Sequence, residues 1–162
     1  MNREFFISII HSFIWSAVFL IGIPLFIIRL FNIQHSDNIF LIFSGFMLIA
    51  SGTFICLRSM YVLSKRKGTT TIALKAESLV REDIYSIVRN PIYLGVLIIL
   101  LGELLLFPSL YMIVYLLLLF LSLHLWLIFV EEPFLERLFG DEFRKYKKEV
   151  PRWCPKVKKF YS

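Results

Sequence analysis

Two groups of polar side chains flank apolar runs in the second half of the chain, and both can bind a charged ligand. Residues 89–93, which read Arg-Asn-Pro-Ile-Tyr, precede one apolar run, and the acidic pair Glu131 and Glu132 follows the next. Carboxylates accept hydrogen bonds from ammonium and hydroxyl groups, and aromatic rings attract cations. The pattern therefore predicts a site for a cationic or hydroxyl-bearing ligand.

The same residues also allow an interpretation without a ligand. Two adjacent carboxylates at the C-terminal end of a helix are unfavourable with the helix dipole, so Glu131 and Glu132 could form salt bridges with the basic C-terminal tail. Asn90 could be an N-cap and Pro91 the first helical residue, with Arg89 extending to the interface. The residues alone leave both interpretations open.

The elements that must position these groups are apolar helices. The chain is 58% hydrophobic, with 17 phenylalanines, whereas a soluble domain is about 45–50% apolar. We expect an all-α, polytopic membrane protein with one domain over residues 1–162, about four transmembrane helices and an interfacial helix after residue 131. Gly45 and Gly52 should allow close helix contact. The predicted spans are residues 5–28, 39–63, 91–107 and 110–130.

The distribution of positive charge predicts the orientation. With four spans, every lysine and arginine except Arg29 lies on one side of the membrane, so the positive-inside rule places both termini and the segments 64–90 and 131–155 in the cytoplasm. Tyr85, Arg89 and Glu131 then share one membrane face. Basic residues that flank apolar runs indicate an anionic leaflet rather than nucleic acid.

Glu103 lies inside the third apolar run. A charge in the middle of a bilayer costs on the order of 3 kcal/mol on insertion scales, and such residues are candidates for function. Either a polar contact between helices or a role in a pocket explains it.

In its order and spacing, the segment from about residue 64 to residue 155 resembles the isoprenylcysteine carboxyl methyltransferase family, and the phospholipid N-methyltransferases share part of the pattern. The matching positions are Leu79, Val80, Tyr85, residues 89–95, Glu131, Glu132, residues 139–143, Tyr146 and residues 150–151.

The resemblance implies a methyltransferase that uses S-adenosylmethionine, without a metal, on a lipophilic small molecule or lipidated substrate at the cytoplasmic face of a bacterial inner membrane. Membrane lipids are the expected partners, and the oligomeric state stays open. The alternatives are N-methylation of a phospholipid amine, or an inactive membrane subunit with the same fold. By motif position, Glu132 is the catalytic position, and the cofactor-binding residues are Leu79, Val80, Tyr85, Asn90, Pro91, Ile92, Tyr93 and Glu131.

The chain departs from the resembled family at two positions. Asn90 stands where the family has histidine, so this position cannot titrate. Leu127 stands where the eukaryotic enzymes have an arginine that is implied in handling the substrate carboxylate. Because Glu131 and Glu132 repel an anion, we expect a neutral or amine acceptor.

Overall fold

Apolar helices make up most of the computed structural model, which describes residues 14–15, 17–65 and 78–155. These residues contain no β-strand, so the predicted all-α class is confirmed. A short 3₁₀ turn, Asp83–Ser86, precedes the third helix. The helices are α1 (Val18–Leu30), α2 (Ile39–Lys65), α3 (Pro91–Leu106), α4 (Leu110–Phe139) and α5 (Asp141–Glu149).

Helix lengths support two of the predicted membrane spans directly. Helices α2 and α4 have 27 and 30 residues and are apolar enough to cross a membrane, whereas α1 and α3 are shorter than the roughly 20 residues that a span needs. The prediction of four spans is therefore not confirmed. Residues 5–13 and 16 of the first predicted span, and residues 66–77 of the basic loop, lie outside the described part.

Helix α4 extends beyond the thickness of a bilayer. At 1.5 Å per residue its length is about 45 Å, and the hydrocarbon core is about 30 Å thick. If Leu110 lies near one surface, the turns that carry Glu131 and Glu132 emerge at the other. In that arrangement the acidic pair lies at the membrane interface.

Helices α2 and α3 pack antiparallel along a row of small residues. A Cβ atom built on Gly52 would lie 2.6 Å from the carbonyl oxygen of Gly95, and one on Gly102 would lie 2.6 Å from the carbonyl oxygen of Gly45. The two glycines on each helix are seven residues apart, and Ser59, seven residues after Gly52, is fully buried. The predicted close contact at Gly45 and Gly52 is confirmed, because only glycine lets the backbones approach this closely.

Helix α4 changes its winding just before Pro133. Residues Leu127–Glu131 form a π-helical segment, and the N–H of Glu132 donates to the carbonyl of Leu127, five residues earlier. Proline lacks an N–H and its ring clashes with the carbonyl four residues before it, and the wider π turn leaves room for that ring. The acidic pair was predicted at the end of a helix; that placement is wrong, because the helix continues to Phe139.

Helix α1 repeats this arrangement, with a π segment, Val18–Gly22, ahead of Pro24. The hydroxyl of Tyr115 on α4 donates to the carbonyl of Phe19 in this segment at 2.6 Å. The rings of Phe31 and Tyr111 stack near the other end of α1. These contacts fix α1 against α4.

Candidate active site at the α3–α4 interface

The carboxylate of Glu131 makes one hydrogen bond to a neutral group. The hydroxyl of Tyr93, in the first turn of α3, donates to its Oε2 at 2.7 Å. Among the described residues, Glu131 has no ion-pair partner within 4.0 Å. Glu131 therefore has no cation beside it in this part of the chain, and Tyr93 fixes the direction of its carboxylate.

The adjacent Glu132 has the opposite environment. Arg152 donates through Nε to Oε1 at 2.7 Å and through Nη2 to Oε2 at 2.9 Å, and Nη1 of Arg89 donates to Oε1 at 2.9 Å. The Nζ of Lys147 lies 3.6 Å from Oε2. One of the two interpretations of the acidic pair was that it forms salt bridges with the C-terminal part of the chain. This interpretation holds for Glu132 but not for Glu131.

The interpretation without a ligand expected Arg89 to extend to the interface. In the structure its side chain is buried instead. The side chains of Arg89 and Glu132 are 10% and 7% exposed, and Nε of Arg89 is buried without a hydrogen-bond partner among the described residues. Burial, and the nearby cation of Arg152, lower the pKa of Arg89, while Glu132 raises it. The hydrogen bond to Glu132 raises the pKa of Arg152. Both guanidinium groups remain charged and compensate Glu132.

The C-terminal strap, residues 150–155, covers the start of α3. The N–H of Arg89 donates to the carbonyl of Pro151 at 2.9 Å, and Nε1 of Trp153 donates to Nδ1 of His124 at 3.0 Å. Asn90 precedes α3 as predicted, but its side chain makes no capping bond and instead lies 3.5 Å from the carbonyl of Arg152. Asn90 therefore does not cap the first N–H groups of α3.

Two small cores lie beside these charges. Val80 and Tyr85 are buried against the end of α2, and Ile92 packs at the edge of this cluster. Leu79 packs against the second cluster, which contains Phe143 and other residues of the C-terminal part.

Tyr146 joins the two cores. Its hydroxyl donates to the carbonyl of Tyr85 at 2.7 Å. Burial raises the pKa of both tyrosines, so they stay neutral. The turn before α3 is thereby fixed to α5.

The structure gathers the sequence-predicted residues at one end of α2, α3 and α4, but in different settings. Val80, Tyr85 and Pro91 are buried in the packed interior, and Tyr93 contacts Glu131. A groove of about 570 Å³ lies between α4 and α5, and Glu132 is the one predicted site residue among the described residues that line it. Glu103 is far from this groove in the chain, and its Oε2 is buried with no hydrogen-bond partner in the part of the chain that the structure describes.

Sequence reasoning missed three contributors to the site. The need of the acidic pair for a cation was recognised, but neither Arg152 nor Lys147 was identified as that cation. The pairing of Trp153 with His124 was also missed, since no spacing rule connects positions 29 residues apart. The run of basic residues in the C-terminal part was the available signal.

The comparison with known protein families matches residues 40–142 to the phospholipid methyltransferases. The chain belongs to the phospholipid methyltransferase family. The match includes Glu131 and Glu132 and ends before Arg152 and Trp153. No curated protein matches the chain.

Membership of the phospholipid methyltransferase family, together with two long apolar helices, indicates a membrane methyltransferase. The more specific assignment to the isoprenylcysteine carboxyl methyltransferases is not confirmed, and the phospholipid alternative is at least as well supported.

Proposed function

We propose that the protein transfers a methyl group from S-adenosylmethionine to the amine of a phospholipid at the cytoplasmic interface of the membrane. The observation that carries this proposal is the difference between the two adjacent carboxylates. Glu132 is compensated by Arg89 and Arg152, whereas Glu131 bonds to a neutral phenol. An uncompensated carboxylate at an interface attracts cations, and both the cofactor and an amine headgroup carry positive charge.

The residues present fit such a cofactor. S-adenosylmethionine combines a sulfonium with an ammonium, a carboxylate and a ribose diol, and when bound it supplies an electrophilic methyl group. Glu131 would accept hydrogen bonds from its ammonium or diol. The N–H groups at the start of α3 suit a carboxylate, and Tyr93 offers a ring face to a cation.

The chain's own groups then have distinct roles. Tyr93 orients the carboxylate of Glu131, and Arg89 and Arg152 keep Glu132 charged and fixed as the second acidic position, which we propose as the catalytic one. The cover that the C-terminal strap forms over the start of α3 limits access of water, which strengthens electrostatic interactions inside. By resemblance we propose further cofactor contacts from Leu79, Val80, Tyr85, Asn90, Pro91 and Ile92.

The position of Leu127 supports an amine acceptor. This side chain is 0% exposed at the position where the isoprenylcysteine enzymes have arginine. No cation from that turn of α4 can therefore hold a substrate carboxylate beside Glu131. A headgroup ammonium is attracted by the same charge that repels a carboxylate. Its nitrogen would have to release one proton to water at the interface before its lone pair could form the new N–C bond, while the C–S bond to the transferred methyl group breaks and the neutral thioether leaves.

Transfer of labelled methyl groups tests the proposal. Purified protein in lipid nanodiscs is incubated with S-adenosylmethionine labelled in the methyl group and a total bacterial lipid extract, and the lipid classes are separated. We expect label in N-methylated phospholipid. If the protein is folded and binds the cofactor but labels none of these lipids, the proposed phospholipid acceptor is wrong. If no other acceptor is labelled either, the alternative of an inactive membrane subunit is favoured.

A further inference from the structure

Each of four successive residues, 150–153, attaches the C-terminal strap to the helices. The first three attachments join the strap to α5, to the start of α3 and to Glu132. Trp153 makes the fourth, through the hydrogen bond from its Nε1 to Nδ1 of His124 at 3.0 Å. Trp153 lies outside the family match, which ends at residue 142, and the proposed methyl transfer gives this contact no role.

The indole of Trp153 meets two complementary groups on α4. An indole N–H can only donate, and Nδ1 of His124 accepts from it. The ring of Phe120, one turn earlier on α4, stacks on that of His124 with 5.8 Å between centroids and lies 5.3 Å from the ring of Trp153. The indole is therefore held by one acceptor and one aromatic ring.

The neighbouring residues Arg152 and Trp153 attach to different turns of α4. Their partners, Glu132 and His124, are eight residues apart, which is about 12 Å along a helix that rises 1.5 Å per residue. The strap thus lies along about two turns of α4, and its backbone is fixed on both sides of Arg152. Without the contact at His124, Arg152 would be the last attached residue.

We propose that His124 and Trp153 are positioning residues that hold the C-terminal strap closed over the start of α3. Through the strap they fix Arg152 on Glu132, the position proposed as catalytic. If the cofactor binds beneath the strap, the same contact limits how often the site opens and therefore how fast the cofactor leaves. This last consequence rests on the proposed function, whereas the closure of the strap does not.

Hydrogen exchange at the N–H of Arg89 tests the closure directly, because this group donates to the carbonyl of Pro151 in the strap. It is measured on the full-length protein in nanodiscs, without cofactor, by mass spectrometry with fragmentation to single residues. His124→Phe keeps an aromatic ring and removes the acceptor, and Trp153→Phe keeps a ring and removes the donor. Each should speed this exchange about fivefold, the factor that one neutral hydrogen bond contributes to an equilibrium.

A double-mutant cycle and a conservative replacement separate this role from a general loss of packing. His124→Phe and Trp153→Phe together should be no worse than either alone, since both remove the same bond. His124→Asn offers an oxygen acceptor near the place of Nδ1 and should restore slow exchange. Additive effects in the cycle, or exchange as fast in His124→Asn as in His124→Phe, would overturn the proposal.

A matched control makes the same change at a different histidine. His35 is exposed between α1 and α2, and His35→Phe should leave the exchange of the Arg89 N–H at the wild-type rate. Unchanged exchange in both His124→Phe and Trp153→Phe would also overturn the proposal, because the strap would then be closed without their contact.

Release of S-adenosylmethionine tests the consequence that rests on the proposed function. Protein loaded with labelled cofactor is mixed with an excess of unlabelled cofactor, and the loss of label is followed. Release should be about fivefold faster in His124→Phe and as slow as in the wild type in His124→Asn. Faster exchange with unchanged release would contradict a cofactor beneath the strap. A wild type that binds no cofactor would contradict the proposed function, and the exchange at Arg89 would still decide whether His124 and Trp153 hold the strap.

Discussion

The hydroxyl of Tyr93 lies 2.7 Å from Oε2 of Glu131 and joins the first turn of α3 to the π segment of α4. This contact directs an acidic side chain that has no cation beside it in the described part of the chain. The next residue, Glu132, points to a different set of partners. The two neighbouring carboxylates thereby have different surroundings: Glu131 bonds to a neutral phenol, and Glu132 joins Arg152 of the C-terminal strap to Arg89.

We expect Glu131→Gln to weaken binding of S-adenosylmethionine about ten- to a hundred-fold, because a charge-assisted hydrogen bond contributes about 1.5–3 kcal/mol. Tyr93→Phe should have a smaller effect in the same direction, since it removes the group that orients Glu131. Isothermal calorimetry in detergent measures both. Tyr61→Phe, at an exposed position, is the control and should keep the wild-type affinity. Unchanged affinity in Glu131→Gln would contradict the proposed cofactor contact.

Replacement of Arg152 by glutamine should destabilise the protein by about 1.5–3 kcal/mol, because a buried carboxylate loses two charge-assisted hydrogen bonds. The thermal midpoint in detergent should fall accordingly. A double-mutant cycle with Glu132→Gln separates this pair from other effects. If the two substitutions prove additive, Arg152 does not act through Glu132.

Gly52→Ala should destabilise the protein by about 1–3 kcal/mol, because overpacking displaces neighbouring groups and here the added methyl group meets the backbone of Gly95. Gly22→Ala is the matched control in a helix, since its Cβ would lie 3.8 Å from the nearest atom. That substitution should be neutral or slightly stabilising. Equal thermal midpoints for the two variants would contradict the close contact of α2 and α3.

The predicted orientation can be tested with thiol labelling. Cys154 is exposed in the C-terminal strap, and His35 is exposed between α1 and α2. Both variants carry Cys56→Ser. With Cys154 as the remaining cysteine, the protein should react with an impermeant maleimide only after the cells are opened. With Cys154→Ser and His35→Cys, it should react in intact cells. The reverse pattern would invert the topology.

Composition and periodicity were sufficient to predict the all-α class and the contact at Gly45 and Gly52. They could not predict that α4 continues past Glu132. The acidic pair was predicted at the end of a helix, but the π turn accommodates Pro133 and lets the helix extend to Phe139.

The candidate site was predictable only in part. The order of the motifs identified residues that lie together at one end of the helices. It could do so because corresponding residues in members of one family occupy the same place in the fold. It did not show that Arg152 would select Glu132 rather than Glu131. That choice depends on the direction in which each side chain leaves α4, and the direction is set by three-dimensional packing.

A comparison of two defined acceptors tests the central claim most directly. Purified wild-type protein and its Glu131→Gln variant are incubated with labelled S-adenosylmethionine and, separately, with phosphatidylethanolamine in nanodiscs or a farnesylcysteine analogue. We predict that the wild type methylates the phosphatidylethanolamine amine, that the variant does so poorly, and that the farnesylcysteine carboxylate is a poor acceptor. Robust turnover of the farnesylcysteine analogue, with none of phosphatidylethanolamine, would contradict the account.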